Sequence, residues 1–132
     1  MSDWLRQFVR ERAGYRCEYC HLPDRHPLRE AFHLEHIKAR QHGGPTVVEN
    51  LAWACHRCNL YKGPNLSGVD PDSQETVLLF HPRHDHWEKH FVLDGSRICG
   101  ITAAGRATVW LFQMNSEKRA ELREELIRQN LF

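Results

Sequence analysis

The spacing of apolar residues predicts a short amphipathic helix at the start of the chain. Apolar positions recur at helical spacing from Trp4 to Val9, with charged residues between them. Asp3 stands where an N-cap is expected, and Gly14 stands where the helix would end. We therefore expect an amphipathic entry helix that ends before Gly14.

The middle of the chain predicts a β-hairpin followed by a short helix. AFHLEHI at 31–37 is a mixed run that fits a strand, and QHGGPT at 41–46 has the glycine and proline content of a loop. VVENLAWAC at 47–55 is apolar again and can pair antiparallel with the first run. NLYKG then predicts one or two helical turns that stop near Gly63 and Pro64.

The second half predicts further strands and two helices. Residues 65–75 indicate a surface connection, and TVLLF and HFVLDGSRICGI indicate strands with a turn at Asp94 and Gly95. Thr102 can cap a helix from 103 to about 114, although the run TVWLF within it also suits a strand. Ser116 can cap a last helix, EKRAELREELIRQN. Three apolar residues form one stripe of that helix, namely Leu122, Leu126 and Ile127.

Composition narrows the class of protein. The 132 residues are 41% hydrophobic and 27% charged, as in a soluble globular domain. No apolar run approaches the roughly 20 residues of a membrane span, and the first residues do not resemble a secretory signal. We therefore expect a single cytoplasmic domain, in the cytosol and without a membrane partner. The net charge of +1 does not by itself indicate a nucleic-acid partner.

Four of the five cysteines occur as two CxxC pairs, CEYC at 17–20 and CHRC at 55–58. Such a doubled pair can present four thiolates to one tetrahedral Zn²⁺, which predicts a structural zinc site. The ligands would be Cys17, Cys20, Cys55 and Cys58. Buried or redox-active cysteines are the alternative, and the remaining Cys99 is expected to be a small buried hydrophobe. The long insertion between the pairs contains the predicted hairpin.

That hairpin contains side chains suited to hydrolysis. Glu35 offers carboxylate oxygens that suit Mg²⁺ or Mn²⁺, and the adjacent His36 is a natural base near pH 7. Asn59, directly after the last cysteine of the quartet, can supply a neutral oxygen ligand. If the hairpin packs on the following helix, Glu35 and Asn59 could hold one cation while His36 faces a water molecule.

These motifs resemble the HNH endonucleases, whose core is a zinc-stabilised hairpin and helix called the ββα-metal finger. The matching text is CEYC, FHLEHI, the GG loop, ENL and CHRCNLYKG, within residues 14–64. The family's acid–histidine pair falls on Glu35 and His36, its central Asn on Asn50 and its last position on Asn59. The chain is thus similar to an "HNN" variant of the family.

The resemblance implies a metal-dependent endonuclease that hydrolyses phosphodiester bonds in DNA, with RNA left open as a substrate. His36 would act as general base, and Glu35 and Asn59 would hold Mg²⁺, Mn²⁺ or another divalent cation. Asn50 would orient His36 by fixing the hairpin loop. A structural Zn²⁺ is expected and no small-molecule cofactor, while the sequence gives no oligomeric state.

Several further residues are candidates of lower specificity. His33 lies two positions before Glu35 on the same strand face, so it is a candidate ligand or partner behind the ligands. Four residues flanking the site are candidate phosphate contacts or ordinary solvated residues, namely Arg40, His42, Arg57 and Lys62. The histidines at 81, 84, 86 and 90 are expected to be solvated or packed rather than a second metal site. Trp87, Phe91 and Trp110 are expected in the core.

The predicted fold class is α+β: a zinc-clamped β-hairpin plus helix, treble-clef-like, with an N-terminal helix and a C-terminal strand and helix extension. The expected arrangement is one domain over 1–132, with its core at 14–64 and its extension at 65–132. A zinc module that binds nucleic acid without cutting it is the main alternative function. A protein-interaction zinc domain is a more distant one.

Overall fold

The structure is a computed structural model that describes residues 2–26 and 30–132. Its described residues form four α-helices and three two-stranded antiparallel sheets, which confirms the α+β class. The chain divides into two compact units, Met1–Asn65 and Leu66–Phe132. The single domain remains a prediction. No described helix has both the length and the apolar character needed to cross a membrane.

The first unit contains helix α1 (Asp3–Arg12), strands β1 (Phe32–His36) and β2 (Leu51–Cys55), and helix α2 (His56–Lys62). The predicted hairpin is confirmed, since β1 and β2 pair antiparallel along their whole lengths. All five residues of β2 are buried, and for this reason its sequence does not alternate between apolar and polar residues. Helix α2 follows β2 directly and packs against the hairpin.

Helix α1 differs from its prediction in two details. The N-cap is Ser2, whose Oγ accepts a hydrogen bond from the Leu5 N–H, so Asp3 is the first helical residue and not the cap. Val9 is buried, whereas Trp4 is 67% exposed and stacks on Phe8. The apolar spacing therefore predicted the helix correctly, although only part of its apolar face is buried within this unit.

The second unit contains strands β3 (Ser67–Val69), β4 (Thr76–Leu78), β5 (Phe91–Asp94) and β6 (Arg97–Gly100), and helices α3 (Ala103–Leu111) and α4 (Glu117–Arg128). Strand β3 lies in the segment for which the sequence indicates a surface connection. Its three residues, with a central glycine, are too few to show the alternation of apolar and polar residues that predicts a strand. Four of the five residues of the run TVWLF are helical and belong to α3, which Thr102 caps by accepting a hydrogen bond from the Gly105 N–H.

Several burial predictions in this unit are wrong. Trp87, expected in the core, is half-buried. Trp110 is 61% exposed because it lies on the outer side of α3, while Phe91 is buried as expected. Cys99 is half-buried and not fully buried. On α4, Ile127 is exposed, whereas Arg123 is buried. The Arg123 guanidinium donates to the carbonyl oxygens of Ser96 and Met114.

Candidate functional site

The four paired cysteines meet at one buried point. Their Sγ atoms all lie within 4.8 Å of one another, and the Cys20–Cys55 Sγ distance is 3.7 Å. A tetrahedral zinc with Zn–S bonds of about 2.3 Å separates its sulfurs by about 3.8 Å, so this geometry suits a structural zinc. The Cys20 and Cys58 amides point at the sulfurs of Cys17 and Cys55, as neighbouring N–H groups do around a metal-bound thiolate. Within the described residues, no other group of three or more ligand side chains converges in this way.

Burial makes these thiols unfavourable as anions. It raises the pKa of Cys17 and Cys58 well above the usual range, and Cys20 and Cys55 add to that rise. Four buried sulfur atoms at van der Waals separation gain little from one another. A bound divalent cation would stabilise the thiolates and would account for their convergence.

Glu35 is buried beside the CEYC segment, which supplies Cys17 and Cys20. Its side chain is enclosed by two donors: Lys62 Nζ lies 2.6 Å from Oε1, and the Tyr19 hydroxyl donates to Oε2 at 2.7 Å. Burial raises the pKa of Glu35 above its ordinary value, and the charge and hydrogen bonds of these two partners oppose the rise. Tyr19 is itself fully buried within the CEYC motif. The CEYC segment therefore supplies two cysteines and also a hydrogen-bond donor to the Glu35 carboxylate.

Lys62 is the last residue of α2 and is only 2% exposed. Besides Glu35, its ammonium contacts the carbonyl oxygens of Ile37 at 2.8 Å and His36 at 3.3 Å. It thereby ties the end of α2 to the end of β1. The predicted surface phosphate contact at Lys62 does not match this placement, because the ammonium points into the unit.

His36 ends strand β1 and is half-buried. Its Nε2 lies 2.8 Å from the Thr46 hydroxyl in the hairpin loop. Partial desolvation lowers the pKa of His36, and the positive charges of Arg40 and Lys62 lower it further. The imidazole is therefore neutral near pH 7, which is the form a general base needs.

Asn50 closes the loop that holds Thr46. Its buried side chain accepts a hydrogen bond from the Lys38 N–H at 2.9 Å and donates to the carbonyl oxygens of Lys38 and Pro45 at 3.0 and 2.9 Å. Gly44 passes so close to Lys38 that an added Cβ would lie 1.7 Å from the Lys38 oxygen. The glycine at this position is therefore required by a close backbone approach.

Asn59 is half-buried on α2, three residues before Lys62 and hence on the same side of the helix. Its side chain makes no hydrogen bond to any residue within 2–26 or 30–132. The amide oxygen is a ligand of the type that Mg²⁺ and Mn²⁺ accept, as is a carboxylate. In its chemistry, the donor set of Glu35 and Asn59 thus fits a hard divalent cation.

The remaining candidates lie around these groups. His33 Nε2 is 3.2 Å from His56 Nδ1, a partner that sequence reasoning did not single out. Burial lowers the pKa of His33, and the charges of His56 and Arg6 add to the effect. Arg40 and His42 are exposed in the hairpin loop, and Arg57 is half-exposed on α2.

Three of the C-terminal histidines contact other side chains of the second unit. The rings of His81 and His84 stack with centroids 3.9 Å apart. His90 Nδ1 lies 2.6 Å from the Thr102 hydroxyl.

Comparison with known proteins addresses the first unit. Residues 17–65 match the family described as HNH endonuclease. No curated protein and no solved structure matches the chain. The matched segment runs from the first zinc-type cysteine to the loop after α2 and contains Glu35, His36, Asn50 and Asn59. The predicted resemblance is confirmed over this segment, which supports a nuclease-type function.

Proposed function

We propose that this protein is a metal-dependent endonuclease that hydrolyses phosphodiester bonds in DNA. The observation that carries the proposal is His36, a half-buried imidazole with a lowered pKa, held by Thr46 at the end of a hairpin clamped by cysteines. A neutral, oriented imidazole suits proton abstraction from water. A positioned base of this kind contributes about 10² to 10⁴-fold to a rate.

Each side chain has a role that its surroundings support. The Thr46 hydroxyl fixes the ring of His36, and Asn50 fixes the loop that holds Thr46. His36 would take a proton from water at the imidazole nitrogen that does not face Thr46. Glu35 and Asn59 would hold the divalent cation, which supplies charge stabilisation of the scissile phosphate when bound. Zn²⁺ held by the four cysteines would support the hairpin and α2 without entering the reaction.

DNA is the proposed partner, and phosphate contact would come from the basic side chains around His36. Arg40 and His42 lie in the exposed loop after β1, and Arg57 lies on α2. Such contacts need positive charge and carry no base specificity. RNA presents the same phosphate groups to these residues, so the cleavage assay is run on an RNA transcript as well as on plasmid DNA.

Cleavage by purified protein tests the proposal. Supercoiled plasmid should be nicked or linearised in Mg²⁺ or Mn²⁺ and left intact in excess chelator. His36→Ala protein should bind DNA with wild-type affinity and fail to cut it, while His86→Ala, an exposed histidine of the second unit, should cut normally. Wild-type cutting by pure His36→Ala protein would reject His36 as the base.

One observation favours a second candidate, a zinc module that binds nucleic acid without cutting. Both oxygens of Glu35 are engaged by Lys62 and Tyr19, so the carboxylate is not open to a cation in this arrangement. A salt-sensitive mobility shift of DNA, with no cleavage in any divalent metal, would favour that candidate.

A further inference from the structure

The Glu35 carboxylate already has a cation of its own. Lys62 and Glu35 are each 3% exposed in their side chains, and the ammonium lies 2.6 Å from Oε1. The Tyr19 hydroxyl donates to the second oxygen. Both carboxylate oxygens therefore lie against groups of this chain, Oε1 through its ion pair with Lys62 and without a hydrogen bond among the described residues. A buried charge pair of this kind is costly to break by removing one partner, because the other charge is left without compensation.

An ammonium and a divalent cation need the same oxygen. Mg²⁺ and Ca²⁺ ligate carboxylate oxygen at roughly 2.0 to 2.6 Å, so a cation on Oε1 would lie within a few ångströms of Lys62 Nζ. Two positive charges at that separation repel strongly in a site sheltered from water. Tyr19 is neutral and donates only to the other oxygen, so it can remain in place.

We propose that Lys62 is a built-in competitor for the divalent cation at Glu35, so that the cation binds as the Lys62 ammonium withdraws. The inference rests on the proposed function, because it takes Glu35 to be a cation ligand. Withdrawal also breaks the bonds of Lys62 to the carbonyl oxygens of His36 and Ile37. The ammonium then becomes available to an anionic partner, which gives Lys62 a phosphate-binding role only in the cation-loaded protein.

Lysine reactivity in the wild-type protein tests the displacement directly. Zinc-loaded protein is treated briefly with an amine-acetylating reagent, with and without saturating Mn²⁺, and each lysine is quantified by peptide mass spectrometry. Lys62 should react slowly without Mn²⁺ and severalfold faster with it. The exposed Lys38 and Lys89 serve as internal controls and should not change. An unchanged Lys62 rate at a Mn²⁺ concentration shown to be saturating by electron paramagnetic resonance would overturn the proposal.

Mn²⁺ affinity provides the second test. Lys62→Met should bind Mn²⁺ at least about tenfold more tightly than wild type, because the competing charge is gone. Lys38→Met removes a nearby exposed charge and should leave the affinity within about twofold, as expected of a screened surface charge. Zinc content and circular dichroism establish that each variant is folded, and the acetylation experiment decides the question if Lys62→Met does not fold.

Glu35→Gln, alone and combined with Lys62→Met, separates the two levels of the argument. In one outcome, Glu35→Gln abolishes Mn²⁺ binding both alone and combined with Lys62→Met, and Lys62→Met by itself does not raise the Mn²⁺ affinity. This outcome would reject the competition and leave Glu35 as a ligand. Mn²⁺ binding that is indifferent to Glu35→Gln would reject Glu35 as a ligand, and with it both the competition and the proposed cation site.

Discussion

Asn50 bonds to both backbone groups of Lys38: its Oδ1 accepts from the Lys38 N–H at 2.9 Å and its Nδ2 donates to the Lys38 carbonyl at 3.0 Å. The same Nδ2 reaches the Pro45 carbonyl, so one buried amide joins the beginning, the middle and the end of the hairpin loop. His36 lies just before this loop and its ring contacts Thr46 within it. We therefore expect the position of the proposed base to depend on Asn50, which fixes the loop that contains Thr46.

Asn50→Ala should lower cleavage with little change in zinc content. Three backbone groups lose their partner, and each unpaired buried group costs about 1–3 kcal/mol, so the loop should loosen around Thr46. We expect faster amide hydrogen exchange over 38–50 and a reduced rate at unchanged cation affinity. Gln41→Ala, an exposed change in the same loop, should alter neither. Normal exchange in Asn50→Ala protein would contradict this account of the loop.

The cysteine quartet predicts a specific pattern of zinc loss. Cys58→Ser should release the metal and unfold the hairpin and α2, because metal binding contributes folding free energy when the site is absent from the unfolded chain. Cys99→Ser should retain one zinc per chain, since Cys99 lies in β6 outside the cluster. Elemental analysis of both purified variants makes the comparison. Well-folded wild-type protein without zinc would show that the four thiols serve another purpose.

The local pattern of the sequence was sufficient for the hairpin, the helix after it and the cysteine cluster. Paired CxxC spacing restricts where the chain must turn, and capping residues such as Thr102 mark where a helix begins. Glu35 was identified from its chemistry and Asn50 through the family resemblance, and the structure gives each a definite set of partners.

What the sequence did not reveal is which charged residues are buried. Lys62 was expected to contact phosphate because it is a basic residue that flanks the site, whereas its pairing with Glu35, far away in the chain, places it inside. Arg123 lies outside the predicted apolar stripe of α4, yet its guanidinium donates to two carbonyl oxygens in the interior. Such placements depend on tertiary contacts, which local hydrophobic periodicity does not encode.

Arg57 offers a test of the DNA-binding face that avoids the buried Lys62. Arg57→Ala should weaken binding to all DNA sequences similarly and should reduce the slope of log affinity against log salt by about one unit, as the loss of one phosphate contact does. Arg97→Ala, an exposed arginine of the second unit, is the matched control and should retain the wild-type slope. Equal slopes in all three proteins, measured by fluorescence anisotropy, would place the DNA-binding face elsewhere.

The second unit should be sensitive to acid through Asp70. The Arg106 guanidinium donates to both oxygens of this buried carboxylate at 2.9 Å and holds the pKa of Asp70 far below its usual range. A depressed folded pKa means that the ion pair stabilises the fold above the unfolded pKa of about 3.9 and loses that effect as the pH falls below it. Asp70→Asn should therefore lower stability at pH 7, and its deficit should shrink as the pH falls below about 4. The measurement is urea unfolding across this range, with Glu75→Gln as the exposed control. An Asp70→Asn deficit that is independent of pH would refute the assignment.

Glu35 and His36 should fail in different ways when they are changed. His36→Ala removes the group that takes the proton, and additional metal cannot supply a base, so activity should stay low at every Mn²⁺ concentration. Glu35→Gln keeps the size of the side chain but removes the only negative charge among the proposed ligands. Its activity should fall and recover in part at high Mn²⁺, because the remaining neutral oxygens bind the cation weakly.

The measurement is the initial cleavage rate of plasmid as a function of Mn²⁺ concentration for both variants and wild type, at a fixed pH near 7. Because Glu35→Gln also leaves Lys62 without its partner, zinc content and the thermal midpoint must be compared first. A His36→Ala protein that recovers with metal, or a folded Glu35→Gln protein that cuts with the wild-type metal dependence, would reverse the roles assigned to these neighbouring residues.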